Sequence, residues 1–158
     1  KKVIILSPGS GAREKNWPTE FYLKVAQWWN KRLGGEGVVI LGPVEEEREE
    51  DRDWGRARVV RGLELAKLAA LIRRSDLYLG NDSGVTHLAA ALGVETVALF
   101  GPTDPLQWAP RGRKVTVIKQ NVECAPCVTQ VMKSCAHRKC LTTLSPDYVT
   151  RRLEELLR

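Results

Sequence analysis

Apolar positions in this chain fall in short continuous runs. Each run opens into a loop of small or polar residues, and most lead on to a helically spaced segment. The runs are Val3–Leu6, Val38–Leu41, Leu77–Leu79, Thr96–Phe100 and Val115–Ile118, and Arg58–Val60 is read as a further short strand. Between them, Phe21, Tyr22, Val25, Trp28 and Trp29 recur at helical spacing, as do Leu65, Leu68, Ala69 and Ile72. A strand exposed on one face alternates apolar and polar residues, whereas a strand covered on both faces reads as continuously apolar. Strand–helix alternation with such strands predicts an α/β fold: a Rossmann-like parallel sheet sandwiched by helices. No internal repeat or linker divides the chain, so residues 1–158 are read as a single domain.

Punctuation refines the elements. Pro18 is expected in a first helical turn, where its missing N–H costs nothing, and Gly34-Gly35 stop that helix. Glu45–Asp53, with seven acids and two Arg, is read as an exposed helix. Ser83–Leu92 is a small Ala-rich helix ended by Gly93, and 120–141 is expected to be irregular. Ser145-Pro146-Asp147 opens a last helix by capping, with Val149, Leu153, Leu156 and Leu157 on one face.

The 158 residues, 43% apolar and 28% charged, suit one globular domain. No apolar run approaches the roughly 18 residues of a membrane-spanning helix. The apolar core near the start is too short for a secretory signal, so a cytoplasmic location is expected. The net charge of +6 is uneven: residues 1–110 carry 15 basic and 15 acidic side chains, residues 111–158 carry 10 and 4. Such a tail attracts anions such as nucleic acid or an acidic membrane surface, or is simply a solvated face. Tyr148 is its only aromatic residue, which argues against single-strand binding.

Candidate chemistry sits where strands end, because ligands of open α/β sheets bind at the carboxyl edge. In the first loop, Gly9 and Gly11 let backbone N–H groups approach an anion, Ser10 offers a hydroxyl and Lys15 a charge suited to a diphosphate. The loop is neither a Walker loop nor a Gly-x-Gly-x-x-Gly turn, and an ordinary Gly-rich turn would look similar. After the second strand, Glu45 or Glu46 is placed to accept ribose hydroxyls, the other acids being solvated. After the fourth, Asp82 could bind sugar hydroxyls, and Ser83, Gly84 and His87 a phosphate. The plainer reading is a helix cap with a packed histidine. Thr103, in Gly101-Pro102-Thr103, either adds a hydroxyl to that edge or belongs to a Pro-fixed turn. Cys124, Cys127, Cys135 and Cys140 are either free thiols or four ligands of a structural zinc away from the ligand edge.

Taken in order, Ser7-Pro8-Gly9-Ser10 with Lys15-x-Trp17-Pro18, Leu65-x-x-Leu68-Ala69-x-Leu71-Ile72, Gly80-Asn81-Asp82-Ser83-Gly84-x-x-His87 and Phe100-Gly101-Pro102-Thr103-x-Pro105 resemble the C-terminal half of the lipopolysaccharide heptosyltransferase family, ADP-heptose-dependent glycosyltransferases. The resemblance spans essentially the whole chain. It implies the donor-binding lobe of a two-lobe GT-B enzyme that transfers a heptose-type sugar, with inversion, from an ADP-sugar to a lipopolysaccharide-core acceptor. No cofactor is required. Ser10, Gly11 and Lys15 would meet the diphosphate, Glu45 or Glu46 the ribose, and Leu63 or Glu64 the adenine. Asp82 would hold the sugar, with Ser83, Gly84 and His87 at the phosphates. Leu63-Glu64 departs from the family's usual Thr-Ser or Met-Ser. No catalytic residue is expected in this chain beyond leaving-group stabilisation by Lys15. The acceptor-binding N-terminal lobe is expected to be absent, which would leave the isolated chain inactive. The full protein would work in the cytoplasm, with peripheral contact to the inner membrane and no nucleic-acid partner. The alternatives are a non-catalytic basic binding module with a four-Cys zinc site, or another sugar-nucleotide enzyme of epimerase type.

Overall fold

A computed structural model describes residues 1–43 and 52–158. Six strands, β1 (Val3–Ser7), β2 (Glu36–Leu41), β3 (Arg58–Arg61), β4 (Leu77–Asn81), β5 (Thr96–Phe100) and β6 (Val115–Lys119), form one sheet. All pairings are parallel and the order is β3-β2-β1-β4-β5-β6. The described helices of two or more turns are α1 (Thr19–Leu33), α2 (Leu65–Arg73), α3 (Gly84–Ala91) and, near the C-terminus, α7 (Pro146–Leu156).

The continuous apolar runs are explained by two cores, one on each face. Ile4, Leu6, Val39, Leu41, Leu77 and Leu79 pack with Val25 and Trp29 of α1 and Val149 and Leu153 of α7. The intervening Ile5, Val38, Ile40 and Tyr78 pack with Ile72 of α2 and Ala89 of α3 on the other face. Side chains alternate across a strand, so a strand with both faces covered needs apolar residues at every position.

This topology positions the site. β1 and β4 are neighbours, yet β1 leads to α1 on one face and β4 leads to α3 on the other. The crevice where adjacent connections part is the topological switch point of a doubly wound sheet.

The structure shifts three boundaries. Pro18 is the residue before α1 rather than in its first turn, while Gly34 ends that helix with φ 60° as expected of a left-handed stop. β1 and β4 run on into Ser7 and Asn81, because ladder pairing continues beyond the apolar residues: Ser7 pairs with Gly80 and Asn81 with Leu99. The segment expected to be irregular contains two short helices, α5 (Thr129–Ser134) and α6 (Lys139–Thr142). They lie beyond another short one, α4 (Pro105–Trp108). Most of the acidic run read as a helix lies outside the described residues, including Glu45 and Glu46.

Candidate functional site

Asn81 organises the crevice. It closes β4 as a fully buried amide among apolar strands. Its Nδ2 donates to the Pro8 carbonyl at 2.9 Å, and its Oδ1 accepts from Trp17 N–H at 3.0 Å and Tyr22 O–H at 2.8 Å. One side chain thus ties the beginning and the end of the β1 loop to the tip of β4. Trp17 is fully buried and its indole N–H donates to the Leu144 carbonyl at 2.8 Å. Lys15, two residues before this anchor in a single 3₁₀ turn (Arg13–Lys15), is held over the switch point.

There Lys15 Nζ lies 3.5 Å from Asp82 Oδ2. The same oxygen accepts from the Thr103 hydroxyl at 2.8 Å. Lys15, Asp82 and Thr103, from the loops after β1, β4 and β5, therefore form one connected chain. Asp82 is 8% exposed at its side chain and Lys15 27%, so the carboxylate is withdrawn and the ammonium reaches solvent. At the start of α3, Ser83 Oγ accepts from Thr86 N–H at 3.4 Å, a cap at the long end of hydrogen-bond range. Thr86 donates to the Asn81 carbonyl at 2.6 Å. The first-turn N–H groups of Gly84 and Val85 have no acceptor within the helix and carry its positive end.

Beside this chain opens a cavity of about 650 Å³. Ser10, Gly11, Ser83 and Gly84 form its polar side; Ile40, Leu63, Leu65, Leu68, Val85 and Leu88 form an apolar wall. A flat, weakly polar ring fits the wall and an anion fits the mouth. Tyr78, buried beneath, has its phenol pKa raised by burial; hydrogen bonds to Ser7, Thr86 and Ser83 oppose the shift without cancelling it. It remains a neutral hydroxyl. Burial likewise raises Tyr22 well above the ordinary phenol value, so the phenol keeps its proton and donates it to Asn81 Oδ1.

The structure thus brings together Ser10, Gly11, Leu63, Glu64, Ser83 and Gly84 around one cavity, with Lys15, Asp82 and Thr103 adjoining. Two expectations change. Ser10 Oγ lies 2.6 Å from the Ala12 carbonyl and 2.5 Å from Asn16 Oδ1, so its single proton is used within the loop it shapes. His87 is exposed and points away from the cavity wall, with Nε2 3.1 Å from the Trp108 carbonyl. It follows Ser83 by one helical turn, and neighbours at that spacing share a side of the helix without sharing a target. Asn81 was legible only as part of a motif. The signal that could have marked it is an amide directly ending an apolar run.

The four thiols lie in the segment after β6, and none of them lines the large cavity. Burial, and after it the neighbouring Cys127, Cys124 and Cys135, pushes the Cys140 thiol up to about 11. Cys127 is raised by the same causes, burial first and then Cys124 and Cys135. Cys127 Sγ donates to the Cys124 carbonyl at 3.1 Å. Among the described residues no three His, Cys, Asp or Glu side chains converge as a metal site, so the four cysteines in this arrangement do not fit a tetrahedral zinc.

The family model for glycosyltransferase family 9 (heptosyltransferase) matches residues 1–137. The chain belongs to that family. Lipooligosaccharide heptosyltransferase 2 of Campylobacter jejuni is 28% identical over 171 residues, covering 100% of this chain and 52% of the relative. The solved structure of E. coli ADP-heptose lps heptosyltransferase II superposes with a TM-score of 0.82 at 25% identity, over 99% of this chain and 46% of that one. TibC, an iron-containing dodecameric heptosyltransferase solved with ADP-D-beta-D-heptose, shares the fold at a TM-score of 0.76 and 17% identity. The chain spans about half the length of the curated relatives it matches, as one Rossmann-like lobe of a GT-B family member does. Among the described residues no helix is long and apolar enough to cross a membrane.

Proposed function

We propose that this chain is the nucleotide-sugar-binding lobe of an inverting glycosyltransferase that moves a heptose-type sugar from ADP-sugar to lipopolysaccharide core. The carrying observation is the Lys15–Asp82–Thr103 chain at the mouth of an apolar-walled cavity on the switch-point edge. In this reading the adenine lies against Leu63 and Leu88, and the diphosphate meets Lys15 and the N–H groups of Ser83 and Gly84. Asp82 binds sugar hydroxyls, and Glu45 or Glu46 takes the ribose. His87 reaches the phosphates only by giving up its contact with Trp108. Family membership and the ADP-sugars bound by relatives support the ligand class.

Transfer breaks the bond between the anomeric carbon and the diphosphate oxygen while an acceptor hydroxyl attacks from the opposite side. Negative charge grows on the departing ADP. Lys15 and the positive end of α3 are fixed beforehand where that charge appears, so stabilising it needs little rearrangement. The acceptor and the base that takes its proton belong to an acceptor-binding lobe outside residues 1–158. This chain alone binds donor without turnover. The whole enzyme works at the cytoplasmic face of the inner membrane, where the excess positive charge of residues 111–158 suits an anionic surface. No cofactor takes part in any step of this reading.

Calorimetry with ADP tests the reading. Lys15→Ala is expected to weaken binding by about 1.5–3 kcal/mol, the scale of a hydrogen bond to a charged group. Unchanged affinity would remove Lys15 from the site. A mixed oligonucleotide, expected not to bind at physiological salt, serves as the control for a nucleic-acid module.

A further inference from the structure

A second cavity, of about 310 Å³, opens on the same rim beyond Thr103, between the ends of β5 and β6. We propose that it is a subsite for the hydroxyl-rich sugar of an ADP-linked donor, and that Lys119, Gln120 and Asn121 select which sugar is accepted. The inference rests on the donor-lobe reading above and adds to it the residues that read the sugar.

The first argument is order along the edge. The large cavity lies over the ends of β3, β2 and β1 and the start of α3. The Lys15–Asp82–Thr103 chain spans the ends of β1, β4 and β5. The second cavity lies over β5 and β6 and shares Thr103. Neighbouring strands are about 4.8 Å apart, so β1 and β6, three spacings apart, are separated by roughly 14 Å. A base, a diphosphate and a sugar are joined in that same sequence, and an extended donor lying along the rim meets an apolar wall, then a cation, then a polar cavity.

The second argument is chemical inventory. Lys119, Gln120, Asn121 and Glu123 all line the cavity. Together they offer ammonium donors, amide groups that both donate and accept, and a carboxylate acceptor. Adjacent sugar hydroxyls donate and accept in turn, and such a mixed set matches them. Among the described residues none of these four side chains is engaged in a hydrogen bond or ion pair. Thr103 and Asp82, by contrast, are already bonded to one another.

The third argument is support. Cys127 N–H donates to the Pro102 carbonyl at 2.6 Å and Ala125 N–H to the Val122 carbonyl at 3.3 Å. The first bond fastens the segment after β6 to the loop after β5 and the second closes a turn within that segment, so the polar side chains project from a held backbone.

Calorimetry of the 158-residue chain with ADP and with ADP-heptose, on the parent, Asn121→Ala and Lys119→Ala/Gln120→Ala, separates the two levels of the argument. Thermal unfolding confirms that each variant is folded. The expected result is ADP affinity within twofold of the parent and ADP-heptose affinity lowered at least fivefold. Equal losses for both ligands, or no loss for either, would overturn the subsite while leaving the nucleotide cavity standing. Failure of the parent to bind ADP at all would overturn the donor reading, and the subsite with it.

Discussion

Asp82 sits between two duties. Its carboxylate accepts from Thr103 and lies 3.5 Å from Lys15, yet a diphosphate drawn to Lys15 would meet that same negative charge. Asp82→Asn keeps the shape and an acceptor for Thr103 but removes the charge. The pair is long, at 3.5 Å, and its ammonium reaches solvent, so it is taken at the exposed-pair scale of about 0.2–1 kcal/mol. Asp82→Asn is therefore expected to tighten ADP by up to about fivefold while weakening ADP-heptose, whose hydroxyls lose a charged acceptor. Titration of both ligands checks this, and parallel losses would mean that Asp82 only supports the loop. Cys140 gives a pH signature of a different kind. Its folded thiol titrates near 11 against the ordinary 9.0. The unfolded chain therefore gives up this proton first as pH rises, and above pH 9 it binds fewer protons than the folded state. The contribution is fully present below pH 9 and is lost between about 9 and 11. Denaturant midpoints across that range should fall more steeply for the parent than for Cys140→Ala.

The pairing of strands and helices shows how far the sequence could be read. The four central strands β1, β2, β4 and β5 were marked by near-continuous apolar runs because they are buried on both faces, whereas the edge strands β3 and β6 are only partly buried and gave shorter or mixed runs. Gly34 marked the end of α1 because a left-handed residue favours glycine. The strand order and the extension of β1 and β4 into polar residues were not marked. Both depend on long-range partners such as Ser7 with Gly80, which local periodicity does not record. The short helices α5 and α6 escaped for a related reason: four to six residues are too few to display a period. Of the site, the glycine-flanked loops, Lys15 and Asp82 were legible by residue type and position. The proton of Ser10, the direction of His87 and the bracket made by Asn81 were not, since each is settled by a neighbour distant in sequence or by one helical turn of orientation. Asn81→Ala removes an amide that serves the Pro8 carbonyl, Trp17 N–H and Tyr22 O–H. At roughly 1 kcal/mol for each bond, with buried partners left unsatisfied, chemical denaturation should register a loss of about 3 kcal/mol or more. ADP affinity should fall as well, because the loop bearing Lys15 comes loose. Loss of stability with intact ADP affinity would separate the bracket from the site.

Across the molecule, one parallel sheet carries everything argued above along a single edge. The loops after β1, β2, β3 and β4 build the large cavity, and those after β5 and β6 the polar one. The chain spans about half of its curated relatives, and an acceptor lobe is required to complete the reaction proposed for it. In the reading proposed above, the donor is held by residues within 1–158. The most direct test is a crystal structure of this chain with ADP-heptose. The diphosphate should lie within hydrogen-bond distance of Lys15 Nζ and the Ser83–Gly84 backbone, with adenine against Leu63. A diphosphate bound elsewhere, out of reach of Lys15, would contradict the account.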